Sequence, residues 1–104
     1  MIAADPGCEL VTVDVLRRGG VEVTLAGLDG PEPVVCSRQV VVVPDLALRE
    51  VVGSFDAVVL PGGSAGAERL AASPEVGARL RHQRDRGGWI AAICAAPIAL
   101  VMWS

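Results

Sequence analysis

The 104-residue sequence predicts one α/β domain, spanning 1–104, built on a parallel sheet. Three observations carry that expectation. Short β-branched runs alternate with Ala-, Leu- and Arg-rich segments along the chain. Hydrophobic residues make up 52% of the chain and aromatic residues only 3%, so the apolar content is almost wholly Val, Ala, Leu and Ile. That mixture suits a buried parallel sheet under small-residue helices. Two apolar runs, "FDAVVLPGG" and "WIAAIC", stop at a glycine turn and at a lone cysteine, as strands do where they hand over to helices. A chain of this length has room for one modest core and no second one.

Taken in order, Glu9 to Arg18 alternates like a strand in V-T-V-D-V yet repeats Leu10, Val13 and Leu16 at helical spacing. The "RRGG" ending is a helix stop and favours the helix. "VEVTLAG" from Val21 reads as a strand, and "PVVCS" and "QVVVVP" as two short strands around a turn at Ser37 and Arg38. "DLALREVVG" reads as a short helix with Asp45 as N-cap and Gly53 as stop. "FDAVVLPGG" is a buried strand running into a glycine turn, and "SAGAERLAAS" is helical. "SPEVGARLRHQRDRGG" is a stronger helix, with Ser73 as cap, Pro74 in the first turn and Gly87 at the exit. "WIAAI" is the last strand, and a helix begins directly after Cys94. No linker, repeat or low-complexity block interrupts the pattern.

Charge and cysteine usage exclude several classes. A net charge of -3 offers no electrostatic reason to bind nucleic acid or an anionic membrane. All nine basic residues are arginine, and the run "RLRHQRDR" before "GG" reads as a solvated helix end where cations oppose the helix dipole. Cys8, Cys36 and Cys94 form no C-x-x-C pair, so neither a zinc knuckle nor a disulfide framework is expected. "MIAADPGCE" lacks the basic flank and apolar core of a secretory signal, which makes a reducing, cytoplasmic setting the expectation. The fifteen uncharged residues from Trp89 to Trp103 are too few for a membrane span, and Pro97 interrupts them.

The chemistry concentrates where two strands end, at Pro61-Gly62-Gly63 and at Ile93-Cys94-Ala95. In an open parallel sheet both turns share one edge and face one crevice. A cysteine on such a strand-to-helix turn is exposed, and a helix N-terminus behind it favours thiolate. Backbone N–H groups of Gly63 and Ala95 are then candidates to hold an oxyanion. The alternative is a small buried hydrophobe, and residue type and spacing leave both open.

"DVLRRGGVEVTLAGLDGPEPVVCSRQVVVVPDLAL", "FDAVVLPGG" and "AAICAAP" together resemble the ThiJ/PfpI family of the class I glutamine amidotransferase-like superfamily, from about Val13 to Leu100. The resemblance implies a flavodoxin-like three-layer sandwich with a mostly parallel sheet, incomplete here at both ends, and normally a homodimer. It implies Cys94 as the reactive cysteine, Gly63 and Ala95 as backbone donors, Glu9 as the carboxylic acid that moves the proton, and Arg38 as a residue reaching the partner subunit's site. The alternative reading of Glu9 is a solvated carboxylate at the start of the N-terminal helix. The implied activities are those of a deglycase or glyoxalase hydrolysing methylglyoxal-type adducts on proteins or metabolites, a cysteine-based oxidative-stress sensor, and a redox-dependent chaperone. No cofactor and no metal is implied, and the localisation is cytoplasmic, extending to nucleus and mitochondrion.

Departures from the family pattern set further expectations. The first strand is absent or reduced to "MIAA", and relatives continue for roughly another half-chain that carries a histidine beside the cysteine. His82 lies in the charged helix and does not replace it. Ala96 stands where relatives have glycine, and Val43 where vertebrate relatives often have a second oxidisable cysteine. A sheet without its neighbours is expected to expose an edge and an apolar face, with "VMWS" as an off-pattern tail.

Overall fold

The structure, a computed structural model, describes residues 1–4, 6–7, 10–94 and 96–103, without the side chains of 64 and 65. Five short strands form the main sheet: β1 (Ile2–Ala4), β2 (Leu25–Gly27), β5 (Leu46–Ala47), β6 (Ala57–Leu60) and β7 (Trp89–Ala92). They lie in the order β5-β2-β1-β6-β7, and every neighbouring pair is parallel. Between β2 and β5 the chain forms an antiparallel hairpin of β3 (Val34–Val35) and β4 (Val41–Val42). The helices are α1 (Val11–Arg18), α2 (Ser64–Ala72), α3 (Pro74–Asp85) and α4 (Pro97–Met102).

"MIAA" therefore supplies the central strand in only three residues. Burial on both faces makes so short a strand sufficient: Ile2, Ala3 and Ala4 are all at most 2% exposed. Side chains alternate across the sheet, as a period of two requires. Ala3, Ala26, Val58 and Leu60 face one way, into a core closed by Leu70 and Ala71 of α2, Val76 and Leu80 of α3, and Ala99 of α4. Ile2, Ala4 and Leu25 face the other way and meet Val13 and Leu16 of α1 together with Val34, Cys36 and Val42 of the hairpin. The expected three-layer sandwich is present, with three helices on one face and α1 plus the hairpin on the other.

Local signals explain most boundaries. α1 resolves as the helix that "RRGG" indicates, ending at Gly19 with Gly20 at φ 82°. α3 begins where expected: the Val76 N–H donates to Ser73 Oγ at 3.4 Å and Pro74 occupies the first turn. It exits through Gly87 at φ 72°.

The segment after Pro44 departs from the expected helix. Leu46–Ala47 is edge strand β5, paired with Ala26 and Gly27, and Leu48–Glu50 makes a single 3-10 turn. Asp45 caps no helix. Its carboxylate accepts the Leu25 N–H at 2.8 Å and meets Arg17 at 3.2 Å, while its own N–H donates to Leu25 O at 2.7 Å. Pairing with β2 satisfies the backbone and lets Ala47, Leu48 and Val51 be buried, and that tertiary gain overrides local helix signals. The strand expected from Val21 is likewise shorter, beginning only at Leu25.

One buried polar side chain ties α3 to the sheet. Gln83 is 0% exposed, and its Nε2 donates toward Phe55 O (2.9 Å), Asp56 O (3.2 Å) and Trp89 O (3.1 Å). These carbonyls lie where β6 and β7 start, so Gln83 joins the end of α3 to both strands. Gly88 lacks a side chain for the same reason: a Cβ there would run into the Gln83 amide. On the far side, β7 is the edge strand of the sheet among the described residues, with Trp89 78% and Ile93 59% exposed. Among the described residues no helix is long and apolar enough to cross a membrane.

Gln83→Leu leaves three carbonyls without this donor while nearly preserving volume. The expected loss is about 1–3 kcal/mol in urea unfolding. Gln83→Glu, which presents a carboxylate to the same carbonyls, should be less stable than Gln83→Leu at neutral pH.

Candidate functional site

β6 and β7 pair in register from Ala57 opposite Trp89 to Leu60 opposite Ala92. One step further along, the two chains turn together, at Pro61-Gly62-Gly63 and at Ile93-Cys94. The helices that leave these turns, α2 and α4, pack against each other, so the turns lie side by side at the carboxyl edge of the sheet. This is the edge where the winding reverses between β1 and β6, the place where open α/β sheets form their ligand crevices.

Cys94 adopts φ 61°, one of three non-glycine residues with positive φ among those described, and its side chain is exposed. The Ala96 N–H donates to Ile93 O at 3.1 Å, closing a turn with Cys94 at its second position. A left-handed conformation costs a residue with a Cβ about 1–2 kcal/mol. Gly63 sits at φ 113°, ψ 117°, a conformation open to glycine alone, and its carbonyl accepts the Ala67 N–H at 2.8 Å as α2 begins. Gly62 and Pro61 beneath it are buried. Cysteine and glycine turn thus share one edge, and α4 behind the cysteine is only six residues long.

Glu9 and Ala95, expected as proton carrier and oxyanion donor, lie outside the described residues, as does Cys8. After β1, the Gly7 N–H donates to Val35 O at 2.9 Å and joins that stretch to the hairpin. Arg38 is exposed at the tip of that hairpin with φ 58°. The two described cysteines contrast sharply: Cys36 is 3% exposed among Ile2, Ala4, Val13 and Leu25, with its Sγ 3.9 Å from Val34 O. His82 lies elsewhere, on α3 against Ser54 Oγ at 3.1 Å, near the amino end of β6. A cleft of about 500 Å³ between Leu48–Gly53 and α3 also lies on that helix rather than at Cys94.

Of the "VMWS" tail, the described residues 101–103 carry on from the core of α4. Val101 and Met102 continue α4, and Trp103 folds back onto the helical layer. Gly77 inside α3 was the available signal, because a glycine within a helical pattern often marks a close approach. Its space is filled by the Trp103 ring, which a Cβ at position 77 would approach to 2.6 Å.

This arrangement of strands and edge turns defines an α/β protein of the DJ-1/PfpI family, whose family model matches residues 8–104, and the chain belongs to that family. It is similar to protein DJ-1alpha of Drosophila melanogaster, 55% identical over 96% of this chain and 49% of that protein. It is also similar to the glutathione-independent glyoxalase DJR-1.2 of Caenorhabditis elegans, 45% identical over 88% of this chain and 49% of that one. Among solved structures, Drosophila melanogaster DJ-1beta superposes with a TM-score of 0.93 at 48% identity, covering 98% of this chain and 57% of that one. The chain spans about half the length of these relatives.

The strain at Cys94 is measurable. Cys94→Gly relieves about 1–2 kcal/mol of left-handed cost and adds about 0.5–1 kcal/mol of unfolded-state entropy, so a net stabilisation near 0.5–1 kcal/mol is expected in urea unfolding. Cys94→Val, β-branched at the same φ, should be less stable than the parent.

Proposed function

We propose that this chain carries the reactive cysteine of a glyoxalase- or deglycase-type protein acting on methylglyoxal-type carbonyl adducts of metabolites or proteins. The observation that supports it most is the exposed, left-handed Cys94 beside the Gly62-Gly63 turn at the carboxyl edge. A relative 45% identical to this chain bears the name of a glutathione-independent glyoxalase, which agrees with that reading. The Cys94 thiolate attacks the electrophilic carbonyl carbon, forming a C–S bond as the carbonyl electron pair moves onto oxygen. Main-chain N–H groups of Gly63 and Ala95 hold the oxyanion, and Glu9 carries the proton. In the same proposal the protein works as a homodimer in which Arg38 approaches the partner's cysteine site, in the cytoplasm and by family resemblance in nucleus and mitochondrion.

A second reading, oxidative-stress sensing coupled to chaperone-like binding, is favoured by the contrast between exposed Cys94 and buried Cys36. Two equivalents of peroxide convert the thiolate to sulfinate with loss of two waters, and exposure directs that oxidation.

Methylglyoxal consumption should fall at least about a hundredfold in Cys94→Ala, as expected for loss of a nucleophile. Equal turnover by parent and variant would end the catalytic reading. After mild peroxide, peptide mass spectrometry should find sulfinate at Cys94 well ahead of Cys36, whereas equal oxidation of the two would remove the sensing role.

A further inference from the structure

α4 carries the Cys94 turn at its amino-terminal side and meets α2 largely through alanines. Ala96 and Ala99 are both 0% exposed, facing a layer in which Ala67, Leu70 and Ala71 of α2 are buried. Small side chains let two helices approach closely, but it is large side chains seated in grooves that fix how far one helix slides or rotates on the other. Leu100 adds apolar contact without direction, and Ile98 and Met102 are exposed.

Trp103, at the end of α4, makes directed contacts to both neighbouring helices. Its ring fills the space above Gly77 of α3, its indole N–H donates to Leu70 O near the end of α2 at 3.3 Å, and the Arg81 guanidinium stands 5.3 Å from its centroid. Its own backbone N–H donates to Ala99 O at 3.0 Å, which continues the helical bonding of α4 up to Trp103. One residue therefore keys α4 onto two other helices.

At the opposite end of α4, Cys94 is held at φ 61° in a turn closed by the Ala96 N–H to Ile93 O bond, followed by the Ala99 N–H to Ala96 O bond at 3.0 Å. Backbone strain of this kind persists only where the surroundings over-determine it. We propose that Trp103 is a positioning residue for Cys94: by locking α4 onto α2 and α3 it holds the 93–96 turn, and with it the thiol, in the left-handed conformation. Its consequence for chemistry rests on the Cys94 reading above. Its effect on the turn does not.

The test compares the parent with Trp103→Ala, Trp103→Phe and Gly77→Ala at a temperature where circular dichroism shows each fully folded. Amide exchange is read at Ala96, and the pH profile of Cys94 alkylation by iodoacetamide is read by peptide mass spectrometry. Trp103→Ala, and Gly77→Ala through expulsion of the ring, should speed Ala96 exchange about tenfold beyond the change in global stability and displace the alkylation profile. Trp103→Phe, which keeps a ring over Gly77, should recover most of both. Should Trp103→Ala fail to fold, Trp103→Phe and Arg81→Gln each remove one directed contact and should speed Ala96 exchange about threefold. Variants that lose thermal stability while Ala96 exchange and the alkylation profile stay at parent values would overturn the proposal. An ordinary thiol profile in the parent would overturn the nucleophile reading instead, and leave Ala96 exchange to decide this one.

Discussion

The parallel register of β6 on β7 governs the carboxyl edge of this protein. Because Leu60 stands opposite Ala92, the next residues of both strands reach the edge together, and a glycine turn arrives beside a cysteine. A one-residue slip would turn every side chain of β7 to the other face and carry Cys94 away from Gly63. That register is enforced from the other end of the strands. Gln83 of α3 donates to carbonyls of Phe55, Asp56 and Trp89, so one amide aligns the starts of β6 and β7.

The helical layer over these strands is built from close contacts that need missing side chains. Gly88 leaves room for the Gln83 amide, Gly77 leaves room for the Trp103 ring, and Ala96 and Ala99 bring α4 down onto α2. Packing of this kind tolerates little adjustment, since interiors are as dense as organic crystals. Beyond the amino end of α4, Cys94 carries a Cβ at φ 61°, a conformation that costs an L-residue about 1–2 kcal/mol.

The opposite face of β7 is a different environment. Trp89 and Ile93 are exposed along β7, the edge strand of the sheet among the described residues, and Cys94, just beyond its end, is exposed as well. An open thiol is readily reached by small oxidants and carbonyl compounds. Relatives twice this length carry further chain, and the 0.93 TM-score to Drosophila melanogaster DJ-1beta over 98% of this chain shows that the shared part keeps its shape.

Elements whose signals are local were legible in the sequence. The Ser73-Pro74 start of α3, the "RRGG" end of α1, the strand-to-turn pattern of "FDAVVLPGG" and the placement of Cys94 at a strand end all follow from caps, glycine and periodicity acting within a few residues. Their order also indicated a parallel sheet and one shared edge. Tertiary structure alone decided the rest. It made Leu46–Ala47 a strand against a helical pattern, because pairing with β2 and burial of Leu48 outweigh local propensity. It made three residues at 2–4 a central strand, turned Gln83 from one polar residue of a charged helix into the link between two strands, and set Trp103 on Gly77. Each of these rests on contacts between residues far apart in the chain, whose energies depend on burial and distance, and neither quantity can be read from neighbours in sequence.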